Sequence, residues 1–230
     1  MKIGLLLPTF RDDARAVLAI AQEAADAGID GVFCYDHLWP MGSPTRPALA
    51  PFPLLAAISA REPRLFLGPL VARVGLGGRA RLRQEFATLR TLAPGRVIAA
   101  LGTGDRLSRQ ENEAYGIEYA TAEQRREDLR ELVGELRDDG EVWIGAGAPA
   151  TNVIAHEAHV TLNLWNASAE DVRRESLGTR VTWAGDLRED LGVHLGELAD
   201  AGAAWAIAST NVAREALYEW RRGRGVSSVI

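Results

Sequence analysis

One cysteine, Cys34, and one lysine, Lys2, occur in 230 residues. A single thiol excludes a disulfide framework and any metal site built from several cysteines. Every basic residue after Lys2 is an arginine, a bias to which no function attaches. No run of about 18 apolar residues occurs, so no segment reads as a membrane span. Bases are outnumbered, 26 against 31 acids, and the net charge of −5 argues against a partner with a phosphate backbone. The opening MKIGLLLPTF reaches a proline and then an arginine too soon for a signal peptide, so the expectation is a cytoplasmic chain. What is present is ordinary for a globular protein: 47% hydrophobic and 25% charged residues, which excludes disorder and coiled coil.

Short apolar runs alternate with helical patterns along the whole chain. The runs cover 2–7, 31–35, 65–72, 96–101, 142–146, 160–165, 180–184 and 204–208. Each is bounded by Gly, Pro or Asp, as buried parallel strands are. Helical spacing is clearest over 12–27, 81–92, 121–136, 191–201 and 212–222, with Gly28 a C-cap signal and Thr121–Gln124 a capping box. Eight strand–helix units of about 29 residues predict a compact single-domain α/β fold, the (β/α)8 barrel, over residues 1–230. The longest pieces assigned to neither strand nor helix, 36–51 and 102–119, both follow strands, on the face where barrel enzymes keep their chemistry.

Asp36-His37 ends the second strand and offers a hydrogen-bond anchor beside a proton acceptor; a turn cap and a packed imidazole are the plainer alternative. Gly102-Thr103-Gly104-Asp105 ends the fourth strand, where glycines let backbone approach a flat ligand. Gly145-Ala146-Gly147-Ala148-Pro149-Ala150 fits G-x-G-x-x-A, but the first acid beyond the next strand is Glu170, which argues against a standard dinucleotide site. A phosphate cradle at a helix start remains open there. His156 and His159 are three apart rather than four and do not read as a zinc pair, so no metal is expected. No G-x-S-x-G elbow occurs and Cys34 reads as strand interior, which leaves covalent catalysis unsupported. His194 reads as a surface residue without a partner, and Trp143, Trp165, Trp183 and Trp205 as core.

The ordered set IGLLLPTF, Gly31–Trp39, Pro63–Val71, Phe86–Leu89, Ala93–Val97 and Leu101–Asp105 resembles the bacterial-luciferase-like oxidoreductase family, most closely its branch using the deazaflavin coenzyme F420. The likeness covers roughly residues 1–165. It implies that Asp36 binds the flavin-like ring and that His37 stands beside the hydride-accepting carbon. Leu70 and Val71 fall where the family often has a non-prolyl cis peptide beneath the ring. Gly102, Thr103 and Gly104 would line the cofactor, and Gly145, Ala146 and Gly147 would meet its phosphate-bearing tail. Ser108 stands where an asparagine is common, and Asp105, a second acid/base candidate, where the sugar-phosphate dehydrogenases carry glutamate. Lysine clamps for a substrate phosphate are impossible here, although the basic 73–83 segment could replace them. The family's large insertion after the seventh strand is missing.

These readings converge on an oxidoreductase acting on a small organic substrate, with coenzyme F420 favoured and FMN the other candidate. The resemblance also implies a homodimer; neither nucleic acid nor a membrane is an expected partner. A cofactor-binding member without its own turnover is the alternative, and a metal-dependent hydrolase using Asp36, His37 and His156 is a third.

Overall fold

The computed structural model describes residues 1–40, 42–104, 108–210 and 212–226, with side chains up to residue 223. The apolar runs form parallel strands β1 (Lys2–Leu6), β2 (Gly31–Cys34), β3 (Phe66–Pro69), β4 (Ala72–Arg73), β5 (Ala99–Gly102), β6 (Val142–Gly145), β7 (Thr161–Trp165), β8 (Val181–Gly185) and β9 (Ala203–Ala208). The helices are α1 (Ala14–Asp26), α2 (Pro51–Arg61), α3 (Val74–Gly77), α4 (Arg79–Leu92), α5 (Ser108–Ala114), α6 (Ala122–Leu136), α7 (Pro149–Glu157), α8 (Ala169–Ser176), α9 (Leu191–Asp200) and α10 (Arg214–Val226). Strand order is β3-β2-β1-β9-β8-β7-β6-β5-β4. Because β3 and β4 are halves of one strand position, parted at Leu70–Val71, the nine strands fill eight positions. Closure comes at the bridge Leu67↔Val97, where Leu67 N donates to Arg96 O and Ile98 N to Leu67 O, both at 2.9 Å. The Arg96 guanidinium clamps this seam by donating to the carbonyls of Ser59, Glu62 and Leu65. This is the expected (β/α)8 barrel.

Strands with apolar groups on both faces build two cores. The outer one packs Val17, Leu55, Phe86, Leu129 and Leu198 from the helices against the sheet. The inner one fills the barrel with Leu6, Phe33, Leu70, Ile98, Trp143, Trp205 and Ile207. Ring centroids stand 5.4 Å apart for Phe33–Trp143, 5.7 Å for Trp143–Trp205 and 5.6 Å for Phe66–Trp205. Rings this large fit because a small residue faces them: a Cβ on Gly31 would lie 3.1 Å from Trp205. The sole lysine closes the strands' N-terminal end, with Lys2 Nζ 3.7 Å from the Phe66 ring centre, a cation–π contact. Trp143, Trp183 and Trp205 are core as expected; Trp165, 47% exposed at the end of β7, is not.

The five expected helices correspond to α1, α4, α6, α9 and α10. Asp13 caps α1 by accepting from Arg15 N and Ala16 N, and Thr121 caps α6 by accepting from Gln124 N, each satisfying amides that the first turn leaves unpaired. Of the two pieces assigned to neither strand nor helix, 102–119 is partly helical, since α5 lies inside it. The other, 36–51, ends where α2 begins, at Pro51, which suits the first helical position. Ser168 and Asp171 make a capping box for α8. Only residues 186–190 connect β8 to α9, where the family's insertion was sought. Among the described residues, no helix is long and apolar enough to cross a membrane.

Two glycines give opposite expectations. Gly68→Ala drives a methyl group into the Ile98 carbonyl oxygen at the closing seam, and should cost about 1–3 kcal/mol as overpacking. Gly134→Ala sits in α6 with nothing within 4 Å, and should stabilise by about 0.4–1 kcal/mol. Urea denaturation of the two variants beside the parent chain measures both.

Candidate active site

Parallel strands bring all their C-terminal ends to one mouth, and the expected site residues collect on one arc of it. Asp36 and His37 follow β2 directly. Arg73, at the end of β4, reaches across to both sides of this dipeptide: its backbone N donates to Asp36 Oδ2 and its Nε to the Asp36 carbonyl, each at 2.9 Å. Arg73 Nη2 also stands 2.9 Å from Glu111 Oε2 on α5. His37 Nδ1 meets the same oxygen at 3.0 Å, and Leu38 N donates to Glu111 Oε1. The Glu111 and Arg73 side chains are 2% and 5% exposed, so this ion pair is buried. Asn112 supports it by donating to the carbonyls of Gly75 and Glu118.

The electrostatics separate the two carboxylates. Burial pushes the Asp36 carboxyl above its ordinary range, and the hydrogen bond and charge of Arg73 only partly oppose this. Burial would raise Glu111 as well, but the hydrogen bonds from His37 and Leu38 and the Arg73 guanidinium outweigh it and hold this carboxyl below its ordinary range. On the open side of His37 lies Phe10, 6.2 Å away and itself stacked on Tyr35 at 4.8 Å.

Beside this dipeptide the peptide Leu70–Val71 is cis, as the resemblance implied. Leu70 N donates to Cys34 O at 2.7 Å, which holds the turn against β2. Val71 lies flat against two glycines: a Cβ on Gly102 would stand 2.5 Å from Val71 Cγ2, and one on Gly145 3.0 Å from Cγ1. Gly104, at φ 69°, turns the chain after β5, and Ser108 packs beneath it, buried. Arg125 fixes the loop from α6 by donating to Thr103 O at 2.8 Å. One strand further, Ala146 N is bound to Asn163 O and Gly147 N to Asn152 Oδ1. The following helix, α7, starts at Ala148-Pro149 without a side-chain cap. Asp105 lies outside the described residues.

Thus Asp36, His37, Leu70, Val71, Gly102, Thr103, Gly104 and Ser108 come together, with Gly145, Ala146 and Gly147 on the adjoining strand end. His156 does not join them. It closes α7, at the opposite end of the barrel, 3.6 Å from Glu175. A groove of about 660 Å³ at that opposite end is lined by Arg137, Glu141, His159 and Arg180, of which Arg180 and Glu141 pair at 2.7 Å. The basic 73–83 segment is not a free clamp: Arg73 is buried against Glu111, while Arg79 and Arg81 pair with Glu131 and Glu85. His194 has partners after all, taking the Arg188 N–H at 3.2 Å and meeting the Trp183 ring edge-on. Cys34 ends β2 rather than lying inside it, and its thiol is inert through full burial, which pushes it upward.

Glu111, Asn112, Phe10 and Tyr35 are site residues that sequence reasoning missed. Glu111 had no local signal, since its partners His37, Leu38 and Arg73 all lie on other elements far back in the chain. A charged Arg73 closing an apolar strand was the one available hint that a buried acid faced it.

Residues 1–139 match the family described as luciferase-like monooxygenase. The chain belongs to that family. Two relatives of this family member, each named F420-dependent glucose-6-phosphate dehydrogenase, come from Nakamurella multipartita and Beutenbergia cavernae. Each is 35% identical, over 132 and 133 residues, which is 56% and 57% of this chain. The match spans only 36% and 38% of their own lengths. An F420-dependent secondary alcohol dehydrogenase, solved with an F420-acetone adduct, superposes with a TM-score of 0.75 at 14% identity, covering 92% of this chain and 94% of its own. The F420-dependent tetrahydromethanopterin reductase of Methanopyrus kandleri gives 0.67 at 12% identity, covering 91% and 93%. At such identities the superpositions show that the fold is shared.

Arg73→Met removes the buried partner of Glu111 and should destabilise by about 3–5 kcal/mol. Its pH dependence follows from sign. Because the folded Glu111 pKa is depressed, its stabilisation is complete above the ordinary glutamate value of about 4.3 and fades as pH falls through the lower folded value. Urea midpoints between pH 3 and 7 should therefore show this loss in the parent chain and a weaker one in Arg73→Met.

Proposed function

We propose that this chain is an oxidoreductase that passes a hydride between coenzyme F420 and a small organic substrate at the barrel mouth. The observation that carries the reading is the continuous arc from Asp36-His37 across Val71 to Gly102 and Gly145, where two glycines leave Val71 as an apolar step. A flat ring system fits such a surface, and the donor set suits it. Asp36 is a carboxyl that burial drives toward its neutral form, and the uncapped start of α7 behind Gly147 suits an anionic tail. Asp36, Leu70, Val71, Gly102, Thr103, Gly104 and Ser108 would hold the ring, and Gly145, Ala146 and Gly147 the tail. The names of the F420-dependent relatives support the same choice of cofactor.

When bound, the deazaflavin supplies the carbon that accepts or gives the hydride; the protein binds, orients and handles protons. Oxidising a carbinol to a carbonyl releases one hydride and one proton, and in this reading His37 takes that proton. Phe10, 6.2 Å from the imidazole and stacked on Tyr35, would give it an apolar neighbour. Asp105 is the second acid/base candidate in this reading, and a homodimer its assembly.

Incubation with F420 or FMN, desalting and an absorbance spectrum test the cofactor directly. Retention of F420 is expected, and failure to retain either sinks the reading. His37→Ala should cut turnover by about 10²–10⁴-fold while F420 affinity stays at the parent value. Undiminished turnover would remove His37 from its role. Tight F420 binding with no reduction across a substrate panel would favour the cofactor-binding alternative.

A further inference from the structure

Among the described residues the oxygens of Glu111 face three groups, of which the Leu38 N–H and the Arg73 guanidinium have no acceptor to offer. Leu38 N–H points at Oε1, and Arg73 Nη2 lies 2.9 Å from Oε2. The guanidinium charge beside Oε2 and the N–H on Oε1 both stabilise the ionised form over the neutral one, so Glu111 stands as a carboxylate whose oxygens only accept. The third group is His37 Nδ1, 3.0 Å from Oε2. Between a carboxylate and a ring nitrogen at that distance, the hydrogen must sit on nitrogen. We infer that Glu111 is a positioning residue that locks His37 in its Nδ1–H tautomer, leaving Nε2 with the lone pair that accepts a proton at the barrel mouth.

Among the described residues, the groups facing His37 agree with this arrangement. Glu111 comes from α5, with Arg73 of β4 behind it, Asp36 precedes it in the chain, and Phe10 offers a ring with no hydrogen-bonding atom. With the lock, the neutral imidazole presents a base rather than an N–H to the mouth; without it both tautomers are available and one of them is blocked for proton uptake. A carboxylate holding a histidine tautomer acts through that residue, so Glu111 need not touch a substrate. The use made of Nε2 rests on the proposed oxidoreductase reading, whereas the tautomer does not.

The tautomer is readable in the chain without cofactor or substrate. Long-range ¹H–¹⁵N correlation spectra of the ¹⁵N-labelled protein, above the pH at which imidazoles are charged, report which nitrogen of each of the 4 histidines carries hydrogen. The His37 signals are identified by their loss in His37→Gln. The parent chain should show protonated Nδ1 and bare Nε2 for His37. Glu111→Leu and Glu111→Gln should each let the Nε2–H form in, Gln keeping the shape while offering an acceptor at one end only. Melting temperatures identify a variant that fails to fold, in which case the other decides. Nε2–H as the main form in the parent, or an undiminished Nδ1–H population in the folded variants, overturns the inference. In the loaded enzyme, Glu111→Gln should lower turnover by about 10²–10⁴-fold with F420 affinity unchanged. Failure to bind F420 would count against the functional reading alone, because the tautomer assay needs none.

Discussion

A single buried guanidinium organises the mouth of this barrel. Arg73 binds the backbone and the carboxylate of Asp36 and, through Nη2, the carboxylate of Glu111. These contacts join the ends of β2 and β4 to α5, elements that are far apart in the chain. Burying a guanidinium and a carboxylate costs several kcal/mol per ion, and only good geometry with full hydrogen bonding repays it. Here Leu38 N and His37 Nδ1 meet the two Glu111 oxygens, while Arg73 supplies charge 2.9 Å from Oε2 and donates from Nε to the Asp36 carbonyl. The consequence is that the imidazole of His37 and the carboxyl of Asp36 are both held in fixed positions. An apolar pair of similar volume would fill the space but would orient neither Asp36 nor His37.

Below the Arg73–Glu111 pair the barrel interior is filled by large apolar side chains. Phe33, Trp143 and Trp205 fill the interior, Lys2 closes its bottom against Phe66, and glycine at 31 makes room for the rings. The same exchange of bulk for backbone proximity recurs at the top, where Gly102 and Gly145 accept Val71. The seam at Leu67 and Val97 makes this a closed ring, so a change at β3 is felt at β5.

The barrel was legible in the sequence because its strands are buried on both faces, and an apolar run carries that information locally. Helices such as α1 and α6 were legible for the same reason, through apolar spacing with Gly28 after α1 and the Thr121 cap before α6, whereas the Asp13 cap emerged only in the structure. α2 was hidden by Pro51 and Pro53, which look like breakers although Pro51 occupies a position that needs no amide hydrogen. α5 was hidden because it is short and polar, and its buried faces are Ser108, Glu111 and Asn112 rather than leucines. Asp36 and His37 could be found from their place after a strand. Glu111 could not, since its role exists only once α5 lies against β2 and β4. Trp165 and His194 failed in opposite senses: residue type suggested burial for the first and isolation for the second, and neighbours across the sheet decided both.

The two carboxylates that share Arg73 carry the final step. They sit in one small region, yet burial wins at Asp36 and hydrogen bonding wins at Glu111, so their proton affinities move apart. Pairs of acids driven apart in this way divide labour. Glu111, with donors on both oxygens, stays ionised and anchors. Asp36 receives one backbone hydrogen bond at Oδ2, and burial holds its proton affinity above the ordinary carboxyl range. Arg73 cannot serve both acids equally. Its Nη2 goes to Glu111, while Asp36 takes its main-chain N–H and gives its own carbonyl to Nε. The side chain that reads as the ring's partner is the one the guanidinium neutralises least.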